Sequence, residues 1–205
     1  MDKIFIKNVF AAVFEKSILD PLLVLLDKKS VKFWGTEGTV RYLKNNGFDA
    51  TSVVAGFDFD GRVKSLDRVI FARILADRTK RKHLNELKRL SHVILNEREE
   101  FRRSFGGPQD DSEPIDLVVV DLYSVVAKNF PESMDIGGQA LIRAAIKNYQ
   151  NVALAFDKKS IADVVSELMK NKGSITLKFR KKQAKAALKF IADRCKLESD
   201  LFSKL

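Results

Sequence analysis

Three stretches of the chain gather groups able to hold an anion and move a proton. Gly35-Thr36-Glu37-Gly38-Thr39 joins an apolar run to a helical one. At such a junction bare backbone N–H groups meet the positive end of a helix dipole, a geometry that binds phosphate. Gly38 would let the backbone approach an anion closely, and Thr36 and Thr39 would add hydroxyls or cap the helix; an ordinary capped turn has the same composition. Lys16-Ser17, after the first strand, would point from the same carboxyl edge of a sheet, where open α/β folds collect ligands.

Gly61-Arg62-Val63-Lys64-Ser65-Leu66 sets two cations on one side of an extended segment. They repel each other unless an anion sits between them, although most such runs are solvated faces. Met134-Asp135-Ile136-Gly137-Gly138 opens a helix that carries Arg143 and Lys147, again with bare N–H groups at its start. In isolation Asp135 is a helix cap. Tyr123 follows a strand at an edge where its hydroxyl could reach a ligand, or where its ring could pack half-buried.

These groups need a scaffold, and the chain supplies one. It has 205 residues, 45% hydrophobic and 31% charged, enough to bury one core. Ile4 to Phe14 reads as a buried strand, with Lys7-Asn8 an interruption, and Ile18 to Leu26 as a helix with Pro21 in its first turn. Val31 to Trp34 is a second strand, Val40 to Asn46 a helix closed by Gly47, and Thr51 to Val54 a third strand. Leu66 to Phe105 is a helical excursion of two or more helices, followed by the loop Gly106 to Pro114. Leu117 to Val120 is the strongest strand signal, apolar at every position, and such a strand sits mid-sheet. Helix Gly138 to Asn148, strand Val152 to Phe156, helix Ile161 to Lys170 and a basic helix from Leu177 to Lys204 complete the order. The alternation predicts one α/β domain over residues 1–205, a doubly wound, mainly parallel sheet with extra helices.

Composition narrows the function. Lys and Arg number 37 against 27 Asp and Glu, a net charge of +10 that favours anionic partners. The segments Thr79 to His83 and Arg180 to Lys185 are basic, but no aromatic residues alternate with the charges to stack on bases, so nucleic acid is not the expected partner. Cys195 is the lone cysteine, and His83 and His92 have no cysteine beside them, so neither a disulfide framework nor a zinc site is expected. The apolar run Ile18 to Leu26 is far short of the ~20 residues that span a bilayer, and the start lacks a secretory pattern. No membrane association and a cytoplasmic location are expected.

Taken in order, Gly35 to Thr39, Gly61 to Leu66, Pro114 to Tyr123 and Met134 to Asn148 resemble the inosine monophosphate cyclohydrolase domain of the bifunctional purine biosynthesis protein. The likeness runs over nearly the whole chain, strongest from Pro114 to Asn148. It implies a methylglyoxal-synthase-like fold and a cofactor-free reaction: dehydrative ring closure of 5-formamidoimidazole-4-carboxamide ribotide (FAICAR) to inosine monophosphate (IMP). By the same resemblance Lys64, Tyr123, Asp135 and Lys147 are the reaction centre, with Asp135 and Lys147 assisting proton transfer. Lys64, Tyr123 and the N–H groups of Ile136 and Gly137 would stabilise the oxyanion, and Gly138 completes that turn. Lys16, Ser17, Thr36, Gly38 and Thr39 would hold the ribose 5′-phosphate, with Arg62 and Ser65 beside Lys64.

The chain also departs from the family pattern. Ala12-Val13-Phe14-Glu15-Lys16-Ser17 stands where the family has Ser-Val-Ser-Asp-Lys-Thr, so Phe14 replaces a phosphate-contacting serine. Glu37 stands for a glycine, and Asp67 and Phe71 for two histidines. An intact centre with an altered phosphate cradle is expected. The fused formyltransferase part of the family has no room here, which implies a separate polypeptide for that step; a homodimer stays open. The competing expectation is a catalytically weak nucleotide-binding module of the same fold.

Overall fold

The computed structural model describes residues 2–53, 66–97 and 112–205, with residues 91–97 described by their backbone alone. Five parallel strands form the central sheet: β2 (Asn8–Ala12), β3 (Lys32–Gly35), β4 (Asp49–Ser52), β5 (Leu117–Val120) and β6 (Ala153–Ala155), in the order β4-β3-β2-β5-β6. Successive side chains of a strand face opposite ways, and both faces are covered. Val9, Ala11, Leu117 and Val119 pack with Leu22, Leu43 and Val164 on one side, while Phe10, Val118 and Val120 pack with Ile70, Leu141 and Ile191 on the other. That double burial is why β5 is apolar throughout.

Among the described residues the helices are α1 (Asp20–Leu23), α2 (Glu37–Asn45), α3 (Arg68–Leu75), α4 (Arg81–Glu97), α5 (Ile136–Lys147), α6 (Lys158–Lys170) and α7 (Leu177–Phe202). α1 is preceded by a 3₁₀ turn over Lys16–Leu19, so the run from Ile18 is two short pieces rather than one helix. α2, α5 and α6 begin three, two and three residues before the expected starts, because Thr36, Asp135 and Asp157 are their N-caps. Among the described residues the excursion holds α3 and α4; residues 98–111 lie outside them.

The expected strand Ile4 to Phe14 is two elements. β1 (Lys3–Phe5) leaves the sheet and pairs antiparallel with β7 (Ser174–Thr176), a strand absent from the sequence reading. The break is held by Asp116, whose buried Oδ2 accepts the N–H groups of Lys7 and Asn8 at 2.9 and 2.7 Å and whose Oδ1 pairs with Arg78. The third strand runs two residues earlier than expected, since Gly47 turns the chain at φ +82° and Phe48 then packs edge-on against Phe33. Arg73, fully buried, stacks 3.7 Å above the Trp34 ring and donates from Nε to the Glu113 carbonyl.

From β2 the order runs to β3 and β4 on one side, then returns to β5 and β6 on the other. The carboxyl ends of β2 and β5 therefore diverge side by side, which in open α/β sheets is where a ligand crevice forms. Gly35 ends β3 beside this point. A Cβ there would lie 2.2 Å from the Ala11 carbonyl oxygen, so only glycine lets the two strands approach.

Candidate functional site

A cleft of about 910 Å³ opens at the diverging ends of β2 and β5. Its walls come from the β2 loop (Phe14, Lys16), the start of α2 (Glu37, Gly38), the segment after β5 (Asp121, Tyr123) and the start of α5 (Asp135, Gly137).

Asp135 organises the α5 wall. One carboxylate oxygen accepts the Gly138 N–H at 2.7 Å, and the other accepts the Tyr123 N–H at 3.4 Å. The carboxylate thus caps the helix and ties it to the segment leaving β5. A Cβ on Gly138 would meet Leu122 Cδ2 at 2.4 Å and both Asp135 oxygens at 2.8 Å, so the glycine is required for the cap. Burial raises the Asp135 carboxyl above its ordinary value, and Asp121 adds to the rise; the two N–H groups and the Arg194 guanidinium oppose it. Burial and the neighbouring Asp135 carboxylate also raise the Tyr123 phenol, which keeps it an O–H donor at neutral pH. The N–H groups of Ile136 and Gly137, in the first turn of α5, have no carbonyl of their own helix to bond. Together they offer a half-buried base, a phenol donor and two backbone donors at one edge of the cleft.

Of the residues expected to bind phosphate, Lys16, Thr36 and Gly38 line the opposite wall, while Ser17 and Thr39 do not reach the lining. Lys16 lies across Gly38, where an added Cβ would be 3.5 Å from Lys16 Cε, and its Nζ donates to the carbonyls of Val13 and Phe14. Thr36 is the N-cap of α2, and its hydroxyl lies 3.2 Å from that of Thr39. Thr39 is fully buried and shares its hydroxyl with the Val13 backbone at 3.4 Å, which makes it a tie between β2 and α2 rather than an exposed donor. The Ser17 hydroxyl donates to Glu15 at 2.9 Å. Glu37 reaches Arg41 one helical turn on, at 3.7 Å. Phe14 is 65% exposed and meets Tyr123 edge to face.

The rest of the expected site divides in two. Arg62, Lys64 and Ser65 lie outside the described residues. Lys147 is the last residue of α5, exposed, whereas Asp135 is the cap at its start. Twelve residues of helix separate them by about 18 Å, at the opposite edge of the sheet. The expected Asp135–Lys147 proton-transfer pair is therefore not assembled within one chain: the rigid helix that brings Asp135 to the cleft carries Lys147 away from it.

Arg194 was not among the sequence candidates. From α7 it donates to the Tyr123 carbonyl and, through Nε, to Glu198 at 3.2 Å. Glu198 also accepts the Gln139 side-chain amide of α5 at 2.8 Å. The only sequence signal was an Arg and a Glu four residues apart on a helix, a spacing that surface ion pairs share. Among the described residues no cluster of three or more His, Cys, Asp or Glu could hold a metal ion, and no helix is long and apolar enough to cross a membrane.

No protein-family model matches the chain. It is similar to the bifunctional purine biosynthesis protein PurH of Clostridium botulinum, 32% identical over 191 residues, and to that of Clostridium acetobutylicum, 34% identical over 191 residues. In each case the match covers 87% of this chain and 34% of the relative, so the chain spans about a third of the length of these curated relatives. Among solved structures it is similar to ForH, with a TM-score of 0.68 and 25% identity over 96% of this chain and 99% of that one.

Proposed function

We propose that the cleft closes a purine ring: it converts FAICAR to IMP with loss of water, in purine biosynthesis, on a doubly wound fold of the methylglyoxal-synthase-like type. The observation that carries this reading is the Tyr123–Asp135 pair at the bare start of α5, in a cleft at the sheet's switch point. The similarity to PurH supports it.

The chemistry needs these groups. A carboxamide nitrogen is a poor nucleophile, so the Asp135 carboxylate takes its proton as the nitrogen attacks the formyl carbon. The formyl oxygen gains the electron pair, and the Tyr123 hydroxyl and the N–H groups of Ile136 and Gly137 stabilise it. Lys64 is assigned the same role. The oxyanion takes back the proton held by Asp135, and the resulting carbinolamine loses its hydroxyl and the proton on the former formamide nitrogen as water, leaving the C=N bond of the new ring. No electrons change hands, and no cofactor is required. The ligand's phosphate is assigned to Lys16, Ser17, Thr36 and the start of α2 at Gly38, with Arg62 and Ser65 beside Lys64.

The test is the absorbance change as purified protein converts FAICAR, with Asp135→Asn and Lys64→Ala as controls. Turnover lost in both supports the reading, and turnover indifferent to both rejects it. A second reading, a nucleotide-binding module without turnover, is favoured by one observation: the Phe14 ring occupies the cleft wall where the resemblance places a serine. It predicts thermal stabilisation by IMP without conversion of FAICAR.

A further inference from the structure

Asp135 and Tyr123 are held from behind by a helix that the ring-closure reading does not use. α7 runs past the start of α5, and two of its side chains face the junction, Arg194 at 12% and Glu198 at 9% exposure. Arg194 donates from Nη2 to the Tyr123 carbonyl and from Nε to Glu198; Glu198 in turn accepts from Gln139, the residue after the capped Gly138. Three elements thus meet in one hydrogen-bonded chain: the segment after β5, the first turn of α5 and the last turns of α7. Long arginine and glutamate side chains are ordered there at a cost in rotamer freedom, and each bond they make constrains the backbone that carries Tyr123 or Asp135.

We propose that Arg194 is a positioning residue of the cleft: through the Tyr123 carbonyl, and through Glu198 and Gln139, it fixes the Tyr123–Asp135 pair against the ligand. Its chemical consequence rests on the ring-closure reading, but its geometry does not.

The charge of Arg194 gives the inference a signature that mere packing lacks. The groups around Asp135 are Asp121 and Tyr123 after β5, Glu132 in its own loop, Lys16 across the cleft, and Arg194 with Glu198 on α7. Of the charged side chains among them, Arg194 pulls the carboxyl down and Asp121 pushes it up. Removing the guanidinium leaves burial and Asp121 unopposed except by the two N–H groups.

The experiment follows the Asp135 carboxyl by carbon-13 NMR through a pH titration, in the unsubstituted protein, Arg194→Met and Arg194→Lys. The midpoint is expected to rise measurably in Arg194→Met and to stay near its original place in Arg194→Lys. With FAICAR, Arg194→Met is expected to lower kcat about tenfold with KM within about twofold, and the acid limb of the pH profile to move with the carboxyl. A folded Arg194→Met protein with an unmoved midpoint overturns the inference, as does a Lys variant that behaves like Met. Should Arg194→Met not fold, Arg194→Gln, which keeps a donor without the charge, takes its place with the same expected rise. If the unsubstituted protein does not turn over FAICAR, the ring-closure reading fails while the titration still decides the role of Arg194.

Discussion

The ring of Phe14 stands edge to face with that of Tyr123, centroids 5.4 Å apart and planes at 82°. The contact joins the loop after β2 to the segment after β5 across the mouth of the cleft, so the residue in the serine position now touches the phenol assigned to the oxyanion. An aromatic pair of this kind contributes ~0.5–1.5 kcal/mol beyond its buried area. A hydroxyl bonded to an anion contributes ~1.5–3 kcal/mol. Phe14→Ser is therefore expected to tighten IMP binding about tenfold or more by calorimetry, while lowering the melting temperature. Weaker IMP binding in the variant would instead make the Phe14 ring a platform for the ligand.

Asp135→Asn separates the cap from the charge. Asn caps a helix about as well as Asp, so the hydrogen bond to Gly138 survives. The native carboxyl is raised, so its proton favours the folded state below the unfolded value, and that stabilisation is lost as pH rises through the folded value. At neutral pH the native protein carries the cost of a half-buried charge and the Asn variant does not. Thermal denaturation is expected to show the variant equal or more stable at pH 7 and no more stable at pH 3, with FAICAR turnover down ~10²–10⁴-fold. A variant less stable at pH 7 would show that the second carboxylate oxygen, which accepts the Tyr123 N–H and has no counterpart in Asn, or its charge contributes more to holding α5 than the cap alone.

Much of this arrangement is legible in the sequence. The Leu117 to Val120 run reads as an interior strand because burial on both faces removes the need for polar positions, and Gly35 to Thr39 reads as a strand-to-helix turn because a β3 glycine and an α2 cap are both local requirements. β1 and β7 were not legible: each is three residues long, and their pairing joins Lys3 to Thr176, so no periodicity could accumulate. Arg194 is equally hidden, since its contact with Tyr123 spans 71 positions and exists only once α7 packs on α5. Lys147 shows the opposite error. A motif preserves the order of residues, but a straight helix decides which end of the sheet each one reaches.

Two glycines at the cleft test the walls separately. Gly138→Ala must displace Leu122 or the Asp135 carboxylate, and overpacking of this kind costs ~1–3 kcal/mol, so both stability and turnover are expected to fall. Gly38→Ala meets only the end of Lys16 at 3.5 Å and lies in the first turn of α2, where Ala is the better helix former. Its melting temperature is expected to hold or rise while IMP affinity falls, because a methyl group then stands where the anion would approach. Equal loss of affinity and stability in Gly38→Ala would place the phosphate elsewhere.

Lys147→Ala tests the separation imposed by α5. About 18 Å of helix lies between Lys147 and the Asp135 cap, and proton transfer requires hydrogen-bond reach directly or through one water. The side chain is exposed at the edge of the sheet opposite the cleft, so its removal is also expected to leave the melting temperature nearly unchanged. Steady-state turnover of FAICAR should stay within about threefold of the unsubstituted protein, in contrast to Asp135→Asn. A collapse of turnover in a folded Lys147→Ala protein would mean that the ammonium group reaches a cleft other than its own. Activity recovered on mixing that variant with Asp135→Asn would then identify a second copy of the chain as the one that receives it.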